Sequence, residues 1–199
     1  MITKTLEKSL CVLKRILDDN DITFWLDFGT LLGAIRSGGI IFGAKDFDMG
    51  VFRKDHGKLR SLIPVFKQHG FSVYNCHNVN NLQFIRDGMV FDFNMYEPSG
   101  DGCFVHYWHL HNDNLLGLFL DGLIRKLYRF YLKYGSNYFC SRIPEKHFLS
   151  FSKYSFGGLS WNVPSGCDVY LTLHYGNWLR PVKSWDFIHD DKTVCKLKG

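Results

Sequence analysis

The sequence predicts an α+β fold, a mixed β-sheet with helices packed on it. Three observations lead there. Apolar residues recur at helical spacing in several stretches, short β-branched and aromatic runs lie between them, and Gly-containing turns separate the two kinds of segment. With 199 residues, 46% of them hydrophobic and 17% aromatic, the chain has side chains enough for a sizeable core. Without repeats or a Pro-, Gly- or Ser-rich linker, residues 1–199 are expected to form a single domain.

The elements follow in order. Ile2–Asn20 carries Leu6, Leu10, Leu13, Ile16 and Leu17 on one helical face, and its frequent polar residues predict neither a signal peptide nor a membrane span. Ile22–Phe28 predicts a strand, and Gly29–Ser37 a short helix closed by Gly38-Gly39. Asp46–Phe52 predicts a strand, and His56–His69 a helix with Gly70 as its C-terminal cap signal. Further strands are predicted over Phe71–Tyr74, Leu82–Arg86, Met89–Tyr96 and Cys103–Leu110. Leu115–Tyr134 predicts a long helix with a basic face (Arg125, Lys126, Arg129, Lys133), packed on the sheet or in peripheral contact with a membrane surface. Near the end come a strand over Gly158–Val163 and a helix over Cys167–His174, with Ser165 and Asp168 spaced as a capping box. The sheet is expected to hold five to seven strands.

The chemistry concentrates in FWLDFGTLLGAIRSGGIIFGAKDFDMGV, residues Phe24–Val51. Asp46 and Asp48 are two apart on a predicted strand, so both carboxylates share one face while Phe47, Met49 and Val51 face a core. Paired carboxylates repel unless a cation sits between them, and Mg²⁺ or Mn²⁺ suits oxygen ligands shared with phosphates. In MVFDFNMYE, Asp92 is flanked by Phe91 and Phe93, a costly position for a charge that neither ligates nor pairs. If its strand lies beside the Asp46/Asp48 strand, three carboxylates converge into a catalytic, metal-binding cluster for phosphoryl transfer. Gly29 and Thr30 open a helix whose N-terminus suits phosphate oxygens; Arg36 and Lys45 are candidate cationic contacts to the same substrate.

These residues, DFGTLLGAIRSGGI followed by KDFDMGV, resemble the LicD/fukutin-related family. FGGLSWNVPSGCDVYLTLHYGNWLRP is similar to a second motif of that family. The resemblance implies a nucleotidyltransferase (polymerase-β-like) core. It also implies transfer of a phospho-alcohol, such as phosphocholine or a polyol phosphate, from a CDP-activated donor to a glycan or glycolipid hydroxyl, with release of CMP. Asp46, Asp48 and Asp92 then correspond to the family's metal-binding acids, Gly29 and Thr30 to its Gly-Thr, and Arg36 to its helix arginine. One segment departs: where many members carry Ile-Pro-Trp and a run of aspartates, this chain has Ile41-Phe42-Gly43-Ala44-Lys45. A general nucleotidyltransferase moving a nucleoside monophosphate, and a non-catalytic binding module retaining the fold, are the alternative readings.

A net charge of +5 without a dense basic block favours anionic ligands, and nucleic acid is not an expected partner. Six scattered cysteines without a CxxC read as buried, reduced thiols and point to the cytoplasm, a truncated luminal domain being the alternative. His106, His109 and His111 lack standard zinc spacing and read as ordinary histidines. Tyr175, Gly176 and Trp178 read as architecture, the alternative being an aromatic platform for a ligand.

Overall fold

A computed structural model describes residues 3–75, 80–109 and 138–196 of the chain. Helix α1 (Lys4–Asp18) starts at Thr3, whose hydroxyl accepts from the Leu6 N–H, and it buries Leu10, Leu13, Ile16 and Leu17 along one face. Strand β1 is short, Phe24–Leu26, and does not reach Phe28 as predicted. The Asp27 carboxylate instead accepts the Phe28 N–H, which starts α2 (Phe28–Ser37) immediately. That helix ends as predicted, on Gly38 in the left-handed conformation.

Strand β2 (Asp46–Phe52) pairs antiparallel with β1 and sets Trp25 opposite Gly50. A Cβ at Gly50 would lie 2.1 Å from the Trp25 ring, so only glycine lets the indole cross the strand there. The helix predicted over His56–His69 is two helices, α3 (His56–Ser61) and α4 (Ile63–Gln68). Pro64, at the start of α4, has no N–H for the preceding turn, and its ring would crowd that turn's carbonyl.

Strands β3 (Ser72–Asn75), β4 (Asn81–Arg86) and β5 (Met89–Pro98) follow, β4 and β5 joined at Asp87-Gly88, both with positive φ. Then come β6 (Cys103–His109), β7 (Tyr138–Pro144), β8 (Phe151–Phe156) and β9 (Leu159–Pro164). Helix α5 (Cys167–Tyr175), α6 (Phe187–Asp190) and β10 (Val194–Lys196) complete the described elements. The capping box predicted at Ser165 and Asp168 does not form. Gly166, at φ 68°, caps α5 without a side chain, and the Ser165 hydroxyl donates to the Ser150 carbonyl.

The main sheet has eight strands and β8–β9 forms a separate pair, more than the five to seven predicted. β7, β8 and β10 were the unforeseen ones. The sheet is mixed, because β2 runs parallel to β5 while the other pairings are antiparallel. Phe47, Met49 and Val51 of β2 and Phe91, Phe93 and Met95 of β5 are fully buried. Aromatic contacts link them outward, Phe47 to Trp161 and Phe91 to Phe71.

The helix predicted over Leu115–Tyr134 lies outside the described residues, as do His111 and Cys76. Among the described residues no helix is long and apolar enough to cross a membrane. The cysteines are not uniformly buried: Cys140 is, Cys11 is exposed, and Cys103, Cys167 and Cys195 lie between, all as free thiols. His106 is a core histidine. Its Nδ1 donates to the Met95 carbonyl at 3.1 Å, and burial drives its pKa down to about 4.

Candidate active site

Parallel pairing of β2 with β5 sets Asp48 directly opposite Asp92 and Asp46 opposite Val90. The period of two along each strand then turns Asp46, Asp48 and Asp92 to one face, while the intervening Phe and Met side chains fill the other. Burial lifts the Asp48 carboxyl well above its usual range, and the charges of Asp92, Asp46 and Asp27 push it further the same way.

Asp92 is held from the neighbouring strand. Gln83, opposite it on β4, donates its amide to Oδ2 at 2.9 Å, and the Asn81 amide donates to Oδ1. Burial and the Asp46 charge outweigh these two donors and raise the Asp92 pKa to about 7. Asn81 and Gln83 were not foreseen from the sequence, because only the β4–β5 register shows that they reach Asp92.

The first turn of α2 closes in from the side. A Cβ at Gly29 would stand 3.5 Å from Asp48 Oδ2, so the helix start abuts the carboxylate. Thr30 is buried, and its hydroxyl oxygen accepts the Asp48 N–H at 2.7 Å, tying α2 to β2. Its visible task is to position the strand. Arg36 donates to the Trp178 carbonyl at 3.3 Å, and its Nε has no partner among the described residues. Lys45 is exposed and outside the cavity lining, so the phosphate contact expected of it is not brought to the site; its carbonyl accepts the Val90 N–H.

Beneath α2 lies a fourth carboxylate, in a run whose composition predicts a strand through Phe28. Asp27 is fully buried, and the hydroxyls of Tyr96 and Tyr170 donate to it at 2.8 and 2.6 Å. Burial raises its carboxyl despite these bonds and the favourable charge of His174. His174, also buried, bonds through Nδ1 to Asp191 Oδ2 at 2.7 Å. A charge in the apolar run FWLDF, two residues before Gly-Thr, was the available signal for Asp27.

Above the acids opens a cavity of about 370 Å³. Phe28, Gly29 and Arg36 from α2 line it together with Asp46 and Asp48; Asp92 is paired with Asp48 but is not among the lining residues. The rest of the lining includes Tyr175, the last residue of α5, and Asn177, Trp178, Arg180 and Trp185 from the segment after it. The Tyr175 and Trp185 rings are 4.8 Å apart. Tyr175 and Trp178, read from the sequence as architecture, therefore face a ligand-sized space. Phe28, at φ 38°, holds a conformation rare for a residue with a side chain, at the junction of Asp27 and the cavity.

Residues 21–166 match the LicD/FKTN/FKRP nucleotidyltransferase domain. The chain belongs to this family. As a LicD/FKTN/FKRP domain it has the mixed sheet and helices expected from its sequence, and the matched span contains all three aspartates, Gly29, Thr30 and Arg36. The match stops before Tyr175, leaving the aromatic wall outside it. The protein is 26% identical over 165 residues to uncharacterized protein RT0683 of Rickettsia typhi, which covers 82% of this chain and 43% of that one. It is 41% identical over 59 residues to uncharacterized protein RP689 of Rickettsia prowazekii, 30% of this chain and 22% of that one. The chain thus spans less than half the length of the curated relatives it matches. Among solved structures, the lincomycin-bound lincosamide adenylyltransferase LnuA overlaps 88% of this chain and 87% of its own, at 12% identity and a TM-score of 0.49. That likeness is too loose to bear on function.

Proposed function

We propose that this domain is a transferase that moves a phospho-alcohol, such as phosphocholine or a polyol phosphate, from a CDP-linked donor to a glycan or glycolipid hydroxyl, releasing CMP. The in-register pairing of Asp48 with Asp92, beside a cavity of nucleotide scale, supports it most directly.

The donor set suits a hard divalent cation. Four carboxylates raise one another's cost of ionisation around Asp48, and a bound cation relieves that strain. Among the described residues no three His, Cys, Asp or Glu side chains form a ready metal cage. Mg²⁺ or Mn²⁺ at Asp46 and Asp48 would therefore take its remaining ligands from water and phosphate. Such an ion supplies charge neutralisation at the diphosphate when bound.

The chain's own groups do the rest. Arg36 and Arg180, which both line the cavity, meet phosphate oxygens, and the N–H groups at the start of α2 add donors. Tyr175, Trp178 and Trp185 offer flat faces to the donor's base or to a sugar. Asp92, fixed by Asn81 and Gln83, orients the attacking hydroxyl and takes its proton; a carboxyl near 7 is matched to that task. Most of the acceleration comes from positioning and charge, without a covalent enzyme intermediate.

The test is a panel of CDP-choline, CDP-ribitol, CDP-glycerol and plain nucleoside triphosphates, each with Mg²⁺, followed for CMP and pyrophosphate. CMP release from a CDP-alcohol supports the reading. Pyrophosphate from a triphosphate identifies nucleoside monophosphate transfer instead, and binding without turnover of any donor identifies a non-catalytic module.

A further inference from the structure

We propose that Cys140 on β7 and Cys195 on β10 are a redox site, a dithiol that a small disulfide such as oxidised glutathione converts into an intrachain cross-link latching β10 to the sheet. The two residues are directly opposed across antiparallel strands, and their sulfurs lie 3.0 Å apart. Both are free thiols. The Arg142 N–H donates to the Thr193 carbonyl. Hydrogen-bonded and non-bonded rungs alternate in an antiparallel ladder, so Cys140–Cys195, two rungs further on, is again a hydrogen-bonded rung. Such a rung separates its Cα atoms by about 5.5 Å, within the window a disulfide spans.

Exposure assigns the order of events. Cys140 is buried and Cys195 is partly exposed, so the oxidant meets Cys195 first. Its thiolate attacks one sulfur of oxidised glutathione, forming a mixed disulfide and releasing one glutathione thiolate. Cys140 then gives its proton to solvent, attacks the Cys195 sulfur and expels the second glutathione. The two protein thiols lose two electrons and two protons, and one oxidised glutathione leaves as two reduced ones. Burial pushes the Cys140 thiol up to about 12, which makes this closing step the slower one.

The latch acts on a segment that shapes the cavity. Just before β10, Asp191 lines the cavity and grips His174 of α5, and the Thr193 hydroxyl bonds Ser141, the neighbour of Cys140. Joining positions 55 residues apart also restricts the unfolded chain.

The experiment uses the whole chain, reduced or incubated with oxidised glutathione. Peptide mapping without reductant is expected to give one linked peptide pair joining Cys140 to Cys195, about 2 Da lighter than the two reduced peptides together, and reversal by dithiothreitol, whatever adduct the exposed Cys11 carries. The melting temperature is expected to rise by roughly 5–10 °C. Cys140→Ser is expected to stop at the glutathione adduct on Cys195, and Cys195→Ser to lose both the link and the thermal response. In the wild-type chain, a glutathione adduct at Cys195 that never closes, a link of either residue to another cysteine, or a linked chain melting where the reduced one does would each overturn the proposal.

Discussion

The two sides of the cavity are built differently. The acidic floor is made by regular strands: Asp46, Asp48 and Asp92 hold their places through backbone pairing and a side-chain period of two. The aromatic wall is made by the end of α5 and the segment without regular structure before α6, held by side-chain contacts such as Arg36 to the Trp178 carbonyl and Tyr175 to Trp185. A floor set by a ladder is rigid and suits chemistry that needs fixed charges. A wall set by side-chain contacts can vary without disturbing the ladder and suits selection of the ligand.

Substitutions on the two sides are therefore expected to change different quantities. The largest effect is expected for Asp48→Asn, a loss of about 1,000-fold or more in kcat, which is about 4 kcal/mol of transition-state stabilisation. Its melting temperature without divalent ions is expected to stay level or rise, because the substitution removes a charge that its neighbours oppose. A variant that keeps its turnover, or one that unfolds, would break the assignment of chemistry to the floor.

Asp27→Ala tests what lies beneath both sides. It removes the acceptor of the Tyr96 and Tyr170 hydroxyls and the side-chain cap of α2 together. Denaturant unfolding is expected to show a loss of about 3 kcal/mol. A loss below about 1 kcal/mol would mean that the tyrosines find other partners.

Asp92→Asn tests the floor through pH. The Asp92 carboxyl is raised in the fold, so the folded chain binds its proton more tightly than the unfolded chain does. Its ionisation costs nothing below pH 4, and the cost grows until about pH 7, above which it stays constant. In metal-free buffer, the melting temperature of Asp92→Asn relative to wild type is therefore expected to climb between pH 4 and 7 and then level off. A flat difference across that range would remove Asp92 from the acidic cluster.

The smallest effect is expected on the wall. Trp178→Ala should raise KM for the donor about 10-fold, leave kcat within about 2-fold, and cost less than about 1 kcal/mol of stability. A fall in kcat equal to that of Asp48→Asn would erase the distinction between floor and wall.

The same contrast explains what could be read from the sequence. Alternation in DFDMGV and MVFDFNMY is local, so each acid's face was legible, and the capping of α2 by Gly38 was legible from the paired glycines. Which strands become neighbours is a long-range choice. The β2–β5 pairing could be stated only as a condition, and the hold of Asn81 and Gln83 on Asp92 follows from β4 lying on the other side of β5. Pro64 breaks the helix between α3 and α4, whereas the apolar spacing around it runs on through the break. Strand β10 is three residues long and depends on pairing with β7, so no local period marks it. The wall residues gave no periodic signal, since Tyr175, Trp178 and Trp185 meet through a turn at Gly176.

Asp92 sits one residue from Phe91 and Phe93, each buried against other rings, Phe71 and Phe84 among them. A slip of β5 by one position along β2 would turn the carboxylate into that aromatic layer and expose the two phenylalanines to water. Assembly of the reactive centre and correct registration of the strands are thus a single event. A chain that folds stably has, by the same step, proof-read its own active site.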